Sequence, residues 1–367
     1  MSDRVVNFAA GPAILPQPVL EEVRRDLLSL PGVGASALEL SHRGPWFEGV
    51  IAEAEANLRT LLAIPASHQV LFCQGGATQQ FSMVALNLPH GEDRAADLVI
   101  TGSWGTKAAK EAATAGAIRI AWTGEADGFR RVPTDADLAE TLAPGAAYTH
   151  ITTNETIQGV EFTTDPAAVG DVPLVADMSS DFLARPVDVA RYGVIYAGAQ
   201  KNLGPAGVTI AIVRDDVLAR VPDGVPTMLD YRTFAEHGSM YNTPPVFSIY
   251  VSMLVTRWLL QEVGGLDAQH ARNREKAGLL YAAIDDSEGF YRGHADLGSR
   301  SLMNVTWRLP NEDLDKAFIA QAADEGLVEL KGHRSVGGIR ASIYNAMPVE
   351  GVRALAGFMR GFAADRG

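Results

Sequence analysis

The sequence contains a single cysteine among its 367 residues. One cysteine cannot form a disulfide within the chain, which excludes a disulfide-stapled scaffold and fits a reducing compartment. No apolar run is long enough to span a bilayer. The first residues also lack the apolar core of a signal peptide. We therefore expect a cytoplasmic protein with no membrane partner.

Basic charge is scarce as well. The chain has 31 lysines and arginines against 44 aspartates and glutamates, for a formal net charge of −13. Because no basic stripe is visible, nucleic acid and anionic membranes are not expected as main partners. The overall field would also not help to capture an anionic substrate. Such a substrate would have to be held by arginines gathered at one place.

Short apolar runs alternate with helical patterns through most of the chain. Helices are predicted at 16–30 and 46–63, where leucine, valine and alanine recur with the helical period. Nearly continuous apolar runs between helices are typical of a mostly parallel sheet covered on both faces, which is an α/β fold. The seven predicted strands lie at 69–73, 96–101, 117–122, 146–152, 174–177, 194–197 and 208–213.

The pattern changes in the last third of the chain. Residues 248–283 are strongly helical and indicate a long connector. The rest follows an α+β pattern, which predicts a smaller second domain beyond a boundary near residue 258. Strands are predicted there at 301–307 and 339–342, and helices at 311–325 and 348–364.

Lys201 has an unusual setting for a lysine. It follows an apolar run and lies in the segment Ala197-Gly198-Ala199-Gln200-Lys201-Asn202-Leu203-Gly204-Pro205-Ala206-Gly207. Small neighbours let a flat cofactor approach closely, and partial burial frees the amine for imine formation with an aldehyde. The alternative is an ordinary strand-end lysine beside a glycine turn.

Other strand ends offer groups that suit the same cofactor, because ligands of open α/β sheets bind beyond the carboxyl ends of the strands. Gly75-Gly76-Ala77 opens a helix and forms either a phosphate seat or a tight turn. Trp104 can stack on a flat ring or pack under a helix. Thr153 can bond a ring oxygen or cap a helix, and Asp177 can pair with a pyridinium nitrogen or act as a cap. Together with Lys201 they favour pyridoxal 5'-phosphate.

Two segments pair histidine with arginine beside glycine. They are Ser41-His42-Arg43-Gly44 and Gly332-His333-Arg334, and the second continues to Arg340 inside an apolar strand. Arginine binds carboxylate or phosphate through two parallel hydrogen bonds, so these residues suit a substrate with two anionic ends. The alternative is solvated surface arginines, which fits Arg340 least because a buried charge needs a partner.

Cys73 is the only candidate sulfur nucleophile. It lies within an apolar strand pattern, so we expect it to pack in the core, which argues against persulfide chemistry. No metal site is predicted.

At these motifs the chain resembles the phosphoserine aminotransferases, a family of fold-type-I pyridoxal-phosphate enzymes in aminotransferase class V. The resemblance implies a large cofactor-binding domain over 16–258 with a mostly parallel seven-stranded sheet. It also implies a smaller α+β domain over 1–15 and 259–367. The matching runs span nearly the whole chain in the family's order: 8–13, 41–44, 74–77, 197–207, 226–231, 239–245 and 332–346.

The resemblance also implies a role for each site residue. Lys201 would bond the cofactor aldehyde, and Arg43 and Arg340 would hold the substrate's carboxylate and side-chain anion. A second subunit of a homodimer would supply two residues to the cofactor phosphate. The other implied contacts are Gly76 and Ala77 with the phosphate, Trp104, Thr153, Asp177 and Gln200 with the ring, Asn242 and Thr243 from the second subunit, and His42, His333 and Arg334 with the substrate phosphate.

The implied reaction transfers the amino group of L-glutamate to 3-phosphohydroxypyruvate. Its products are O-phospho-L-serine and 2-oxoglutarate, in serine biosynthesis, and the resemblance leaves open a part in pyridoxine biosynthesis. Another class-V enzyme, such as an alanine–glyoxylate aminotransferase, would have less need for His333 and Arg334. A non-catalytic phosphate-binding module would not need Lys201.

Overall fold

A seven-stranded sheet forms the centre of the computed structural model, which describes residues 4–166 and 170–366. One strand, β10 (Gly207–Arg214), is antiparallel to both of its neighbours, and the other pairs of this sheet are parallel. The mostly parallel α/β sheet and all seven predicted strands are confirmed. In spatial order the strands, numbered along the chain, are β2 (His68–Gly75), β10 (Gly207–Arg214), β9 (Val194–Gly198), β8 (Leu174–Asp177), β5 (Thr149–Thr152), β3 (Ala96–Ile100) and β4 (Ile118–Thr123).

Helices cover both faces of this sheet, so its inner strands are buried on both sides. Every residue of β3, β8 and β9 is buried. In β2 the side chains alternate, so Phe72 joins the core on one face while Leu71 and Cys73 join the core on the other. Burial raises the pKa of Cys73 to about 12, which leaves its thiol protonated in the core.

The helices are close to those expected from the apolar period. The predicted helix 16–30 ends earlier, at Asp26, and the predicted helix 46–63 is α2. Within the described ranges no helix is long and apolar enough to cross a bilayer. The α-helices are α1 (Gln17–Asp26), α2 (Pro45–Leu62), α3 (Ala77–Asn87), α4 (Ser103–Ala115), α5 (Asp135–Thr141), α6 (Asp215–Leu218), α7 (Tyr231–Glu236), α8 (Val246–Trp258), α9 (Leu266–Asp285), α10 (Glu312–Asp324) and α11 (Val349–Arg366).

The long helical connector is broken into two parts. Helix α8 continues through a π-helical turn at Leu259–Val263 and stops at Gly264 and Gly265. Both glycines have left-handed φ angles, 90° and 95°, which other residues adopt only with strain. Helix α9 starts directly after them, at Leu266, so the prediction of one connector was right in helix content but missed this break.

A second core lies in the carboxyl-terminal part. Three antiparallel strands, β11 (Arg292–Gly293), β12 (Asn304–Arg308) and β14 (Ile339–Ser342), pack with α9, α10 and α11. Two further short pairs complete the strands: β1 (Val6–Asn7) with β13 (Leu327–Val328), and β6 (Asn154–Glu155) with β7 (Val160–Glu161).

The two cores support the domain division, which we propose as 16–258 and 1–15 with 259–367. Phe8, from the amino-terminal segment, is fully buried in the second core. The first core also includes Leu259, Val263 and Leu266, which lie beyond the boundary at residue 258. The start of the smaller domain therefore packs on the core of the larger one.

Residues 8–13 link the second core to the segment that carries Lys201. The backbone N–H of Ala13 donates to the carbonyl of Gln200 at 2.9 Å. The hydroxyl of Tyr344 donates to the carbonyl of Ala10 at 2.8 Å. Gly11 lies so close that a Cβ there would be 3.5 Å from Cγ of Lys201.

Candidate active site

Lys201 lies where β5, β8 and β9 end side by side. Its side chain is buried, and Nζ donates a 2.7 Å hydrogen bond to Oγ1 of Thr156. Burial lowers the pKa of Lys201 to about 8, although the carboxylates of Asp177 and Glu155 act in the opposite direction. The lysine therefore supplies a neutral amine at mildly basic pH, as the sequence analysis expected from its setting.

Asp177 ends β8 and faces the lysine. Its Oδ1 accepts hydrogen bonds from the backbone N–H of Ser179 at 2.9 Å and from the Ser179 hydroxyl at 2.6 Å. Burial raises the pKa of Asp177, whereas the Lys201 ammonium and Ser179 lower it. A buried carboxylate of this kind calls for a cation next to it, and a protonated pyridine nitrogen meets that need.

Trp104 provides a flat surface beside the same amine. It lies in the first turn of α4, and its ring centroid is 5.6 Å from Nζ of Lys201. The ammonium of Lys107 lies 3.9 Å from the same centroid. Its indole Nε1 is buried and has no hydrogen-bond partner among the described residues. The position fits a ring that stacks on a cofactor.

Glu155 fixes the start of the helix that carries Trp104. Its Oε2 accepts from the backbone N–H of Trp104 at 2.9 Å, and its Oε1 accepts from that of Gly105 at 2.8 Å. Burial raises the pKa of Glu155 to about 7, while these two N–H groups lower it. A Cβ at Gly102 would lie 2.6 Å from Cδ of Glu155, so only glycine fits there. The sequence analysis did not single out Glu155.

Two threonines near the end of β5 have different surroundings. The hydroxyl of Thr153, the predicted ring contact, is within hydrogen-bond distance of Oδ1 of Asp181 at 2.6 Å and the carbonyl of Asp177 at 3.0 Å. The hydroxyl oxygen of Thr156 instead accepts the hydrogen bond from Nζ of Lys201. Sequence reasoning missed Thr156, and a ring contact from Thr153 stays a prediction.

The predicted phosphate seat is the amino end of α3. Gly76 precedes the helix in an extended conformation, and no side chain caps the first turn, which begins at Ala77. Gly75 has a left-handed φ of 89°, and a Cβ there would lie 2.3 Å from Oε1 of Gln79. Free backbone N–H groups at the start of an 11-residue helix suit a phosphate.

Asn242 and Thr243 contact Gln74, which precedes this seat in the chain, and Gln200 lies two residues beyond the end of β9. Gln200 is half-buried, and its Oε1 would be 2.7 Å from a Cβ on Gly198. Asn242 and Thr243 are exposed, and Nε2 of Gln74 donates to Oδ1 of Asn242 at 2.6 Å and to the carbonyl of Thr243 at 3.2 Å. That these two residues serve a second subunit stays a prediction.

A group of cations borders the lysine on the side of β14. Burial lowers the pKa of Arg340, and its Nε is buried without a hydrogen-bond partner. Burial and the charges of Arg340, Arg334 and Lys107 lower the pKa of His333, and Arg340 also lowers that of Lys201. In the part of the chain that the structure describes, Arg334, Arg340 and Lys107 form no ion pair with a carboxylate. Unneutralised cations favour an anionic substrate here.

His42 and Arg43 lie just before α2, and Nε of Arg43 donates to Nε2 of His42 at 3.3 Å. Across the described ranges no hydrogen bond or ion pair joins them to Arg340 or His333. The single chain therefore brings Asp177 and Trp104 together with Lys201 but leaves His42 and Arg43 apart from Arg340 and His333. No cluster of three or more potential metal ligands occurs among residues 4–166 and 170–366.

The chain is similar over its whole length to known proteins. It is 53% identical over 369 residues to phosphoserine aminotransferase of Desulfatibacillum aliphaticivorans, with 100% of both chains covered. It is 55% identical over 363 residues to that of Laribacter hongkongensis, with 99% of both covered.

Solved structures agree with this. The phosphoserine aminotransferase of Bacillus circulans subsp. alkalophilus superposes with a TM-score of 0.96 at 49% identity, covering 100% of both chains. A pyridoxal-phosphate-bound phosphoserine aminotransferase of Trichomonas vaginalis gives 0.89 at 38% identity, covering 97% of this chain and 100% of that one. The family model for aminotransferase class V matches residues 5–355. The chain belongs to the class-V aminotransferase family.

Proposed function

We propose that this chain is a pyridoxal-phosphate-dependent phosphoserine aminotransferase, which moves the amino group of L-glutamate to 3-phosphohydroxypyruvate. The observation that carries the proposal is the buried Lys201, whose lowered pKa and position opposite Asp177 suit a covalent bond to the cofactor aldehyde. Full-length identity of 53% and 55% with two phosphoserine aminotransferases supports the same reaction.

The residues present fit the cofactor. The amino end of α3 at Gly76 and Ala77 would hold its phosphate, Trp104 would cover its ring, and Asp177 would hold the ring nitrogen protonated. Pyridoxal phosphate, when bound, supplies an electron sink for the bond that is broken at the substrate α-carbon. The unpartnered Nε1 of Trp104 is a donor that bound substrate or cofactor would satisfy.

The chain's own residues then handle protons and charge. Nζ of Lys201, once free, would take the proton from the substrate α-carbon and would donate it to the cofactor carbon that carried the aldehyde. Thr156 holds that amine in place between the two steps through its 2.7 Å hydrogen bond. Burial raises the pKa of Asp177, so its negative charge next to the ring nitrogen would depend on the positive charge of that nitrogen and on the Ser179 hydrogen bonds, which favour the ionised form.

The cationic group at β14 would let one pocket take two different anions. The guanidinium groups of Arg334 and Arg340 offer parallel donors that match either a carboxylate or a phosphate. Glutamate presents a side-chain carboxylate, and 3-phosphohydroxypyruvate presents a phosphate at a similar distance from its reacting carbon. An alanine–glyoxylate-type activity is not favoured, since its substrates have no second anion for these cations.

A coupled assay tests the substrate. We expect turnover with glutamate and 3-phosphohydroxypyruvate to exceed turnover with hydroxypyruvate or glyoxylate by at least about a hundredfold in kcat/KM, which corresponds to about 2.7 kcal/mol of phosphate recognition. The variant R334Q should lose most of that preference, while the exposed control R360Q should keep it. Equal use of phosphorylated and unphosphorylated keto acids would contradict the proposal.

The covalent link is tested separately. Borohydride reduction of the holoenzyme followed by peptide mass spectrometry should place the cofactor on Lys201. The variant K201A should lose at least about a thousandfold in kcat, because both the covalent bond and the proton carrier are removed, while still binding the cofactor through its phosphate. An adduct on any other side chain would overturn the assignment.

We also propose a homodimer in which Asn242 and Thr243 complete the phosphate seat of the second subunit. Both residues are exposed, and the neighbouring Tyr241 is 48% exposed. Leu28 and Leu38, 86% and 60% exposed, add apolar surface that a partner could cover.

A further inference from the structure

A cavity of about 300 Å³ lies between the small three-stranded sheet and the loop that precedes β14. Its wall carries four arginines and one histidine: Arg130, Arg292, Arg308, Arg340 and His294. Among the residues that the structure describes, no aspartate or glutamate lines it. The chain as a whole carries a net charge of −13, whereas the charged groups of this cavity are all basic. Such a local concentration of positive charge favours the binding of an anion.

Most of these cations are not neutralised by the protein. Arg130 pairs with the exposed Asp296 at 3.1 Å. Within the described ranges Arg292, Arg308 and Arg340 form no ion pair, and Arg292 makes only a 3.4 Å hydrogen bond to the carbonyl of Pro310. Burial and the charges of Arg130 and Arg308 lower the pKa of His294.

The pairing of β11 with β12 places two of these arginines next to each other. Arg292 and Arg308 are directly opposite each other in the antiparallel pair of β11 and β12. Like charges in such a position are destabilising, and an anion between them removes the repulsion. The guanidinium of Arg308 also lies under the loop, since a Cβ at Gly337 would be 3.5 Å from both of its terminal nitrogens.

The cavity is separate from the cofactor site. Lys201, Asp177 and Trp104 do not line it, nor do His333 and Arg334. Arg340 is the one residue of the proposed substrate group on its wall. The side chain of Thr306, opposite Arg340 in the pairing of β12 and β14, donates to the carbonyl of Gln158, and both residues line the cavity.

We propose that this cavity is a second anion site, which binds a small molecule bearing phosphate or carboxylate groups through Arg292 and Arg308. Its volume is at the lower end of those that hold small ligands, so a compact polyanion fits it better than a nucleotide. The inference does not depend on the reaction catalysed at Lys201.

Residue-resolved protection of arginines tests the site in the holoenzyme. Phenylglyoxal modifies accessible arginines, and peptide mass spectrometry gives the extent of modification at each one. Pyrophosphate is the probe, added over a concentration series at low ionic strength, because screening weakens such contacts. We expect pyrophosphate to protect Arg292 and Arg308 in a saturable way and to leave Arg360, an exposed arginine of α11, unprotected.

Variants separate this site from the substrate pocket. R308Q should weaken the protection of Arg292 by about tenfold in probe concentration, which is the loss of about 1.4 kcal/mol. R334Q should leave that protection unchanged, as should the matched charge control R360Q. The KM of R308Q for O-phosphoserine should equal that of the wild type, since Arg308 is not part of the proposed substrate group.

Three results would overturn the proposal. One is the absence of saturable protection at Arg292 and Arg308. Another is protection of Arg292 that persists unchanged in R308Q. The third is protection that disappears in R334Q, which would mean that the probe occupies only the substrate pocket. If the coupled assay with glutamate and 3-phosphohydroxypyruvate failed, it would contradict the proposed function. The protection of Arg292 and Arg308 by pyrophosphate would still decide whether this second site exists.

Discussion

Thr153 and Thr156 are three residues apart, and their hydroxyls have different partners. The hydroxyl of Thr153 contacts the carboxylate of Asp181, and that of Thr156 accepts from the amine of Lys201. We expect T156V to lower kcat by about tenfold, because Lys201 loses the hydrogen bond that holds its amine, whereas T156S should keep most of the activity. T153V should instead lower stability by about 1–3 kcal/mol, because the buried Asp181 loses its donor. Steady-state kinetics and urea unfolding of the three variants measure both effects. A tenfold loss of kcat in T153V at full stability would favour the predicted ring contact.

The lowered pKa of Lys201 predicts how the apoenzyme takes up its cofactor. Only the neutral amine attacks the cofactor aldehyde, so the rate of reconstitution should fall as the pH drops through about 8. Because the charge of Arg340 contributes to this lowering, R340Q should shift the midpoint to higher pH. Stopped-flow absorbance of cofactor binding measures the midpoint. R334K, which keeps the neighbouring charge, is the control, and an unshifted midpoint in R340Q would contradict the assignment.

The site was predictable where a residue stands at the end of an apolar strand. Lys201 and Asp177 follow continuous apolar runs, and strand ends converge at one edge of such a sheet. Glu155 and Thr156 were missed because they belong to a polar run, and polar runs are typical of exposed turns. In this fold the run is buried, since Glu155 finds its partners in the backbone of α4, far along the sequence. No spacing in the sequence encodes that contact.

Helix α4 starts on the carboxylate of Glu155, and its first turn carries Trp104. In E155Q one of the two backbone N–H groups loses its acceptor, so we expect a loss of about 1–3 kcal/mol in stability and a higher KM for substrates. Gln keeps one acceptor and the same size, which limits the change to the helix start. Near-ultraviolet circular dichroism of the indole and steady-state kinetics measure the effect. An unchanged KM would show that Trp104 is held by its other contacts.

The same residue predicts a pH effect with a definite sign. In the folded chain the pKa of Glu155 is raised from 4.5 to about 7, so between these values the folded state binds more protons than the unfolded state. The free energy of unfolding of the wild-type apoenzyme should therefore fall relative to E155Q as the pH rises through this range. Urea unfolding at several pH values gives this difference. A difference that rises with pH would contradict the assigned pKa.

Elements with a long apolar pattern were predictable, and short ones were not. The strands β1, β11 and β13 have two residues each, too few for any periodicity. The antiparallel direction of β10 also has no signature, because its apolar run reads like that of β9. The break at Gly264 and Gly265 could have been taken from the glycine pair itself, which ends helices when it adopts a left-handed conformation.

At the scale of the whole molecule, mixed dimers test where Asn242 and Thr243 act. One chain carries K201A, and the other carries N242A together with T243A. If these two residues serve the opposite subunit, the mixed dimer has one complete site and should recover about half of the wild-type activity. Homodimers of each variant are the controls. If the residues serve their own subunit, neither site is complete and mixing restores nothing.

The segment 8–13 makes the amino end of the chain part of the catalytic architecture. Trimming residues 4–13 would remove Phe8 from one hydrophobic core and leave the carbonyl of Gln200 without its donor, although every catalytic side chain would remain. An affinity tag is better placed after α11, whose last residues 364–366 are exposed. A chain shortened in this way would keep Lys201 and the other catalytic side chains but would lose the contacts of residues 8–13 with the lysine segment.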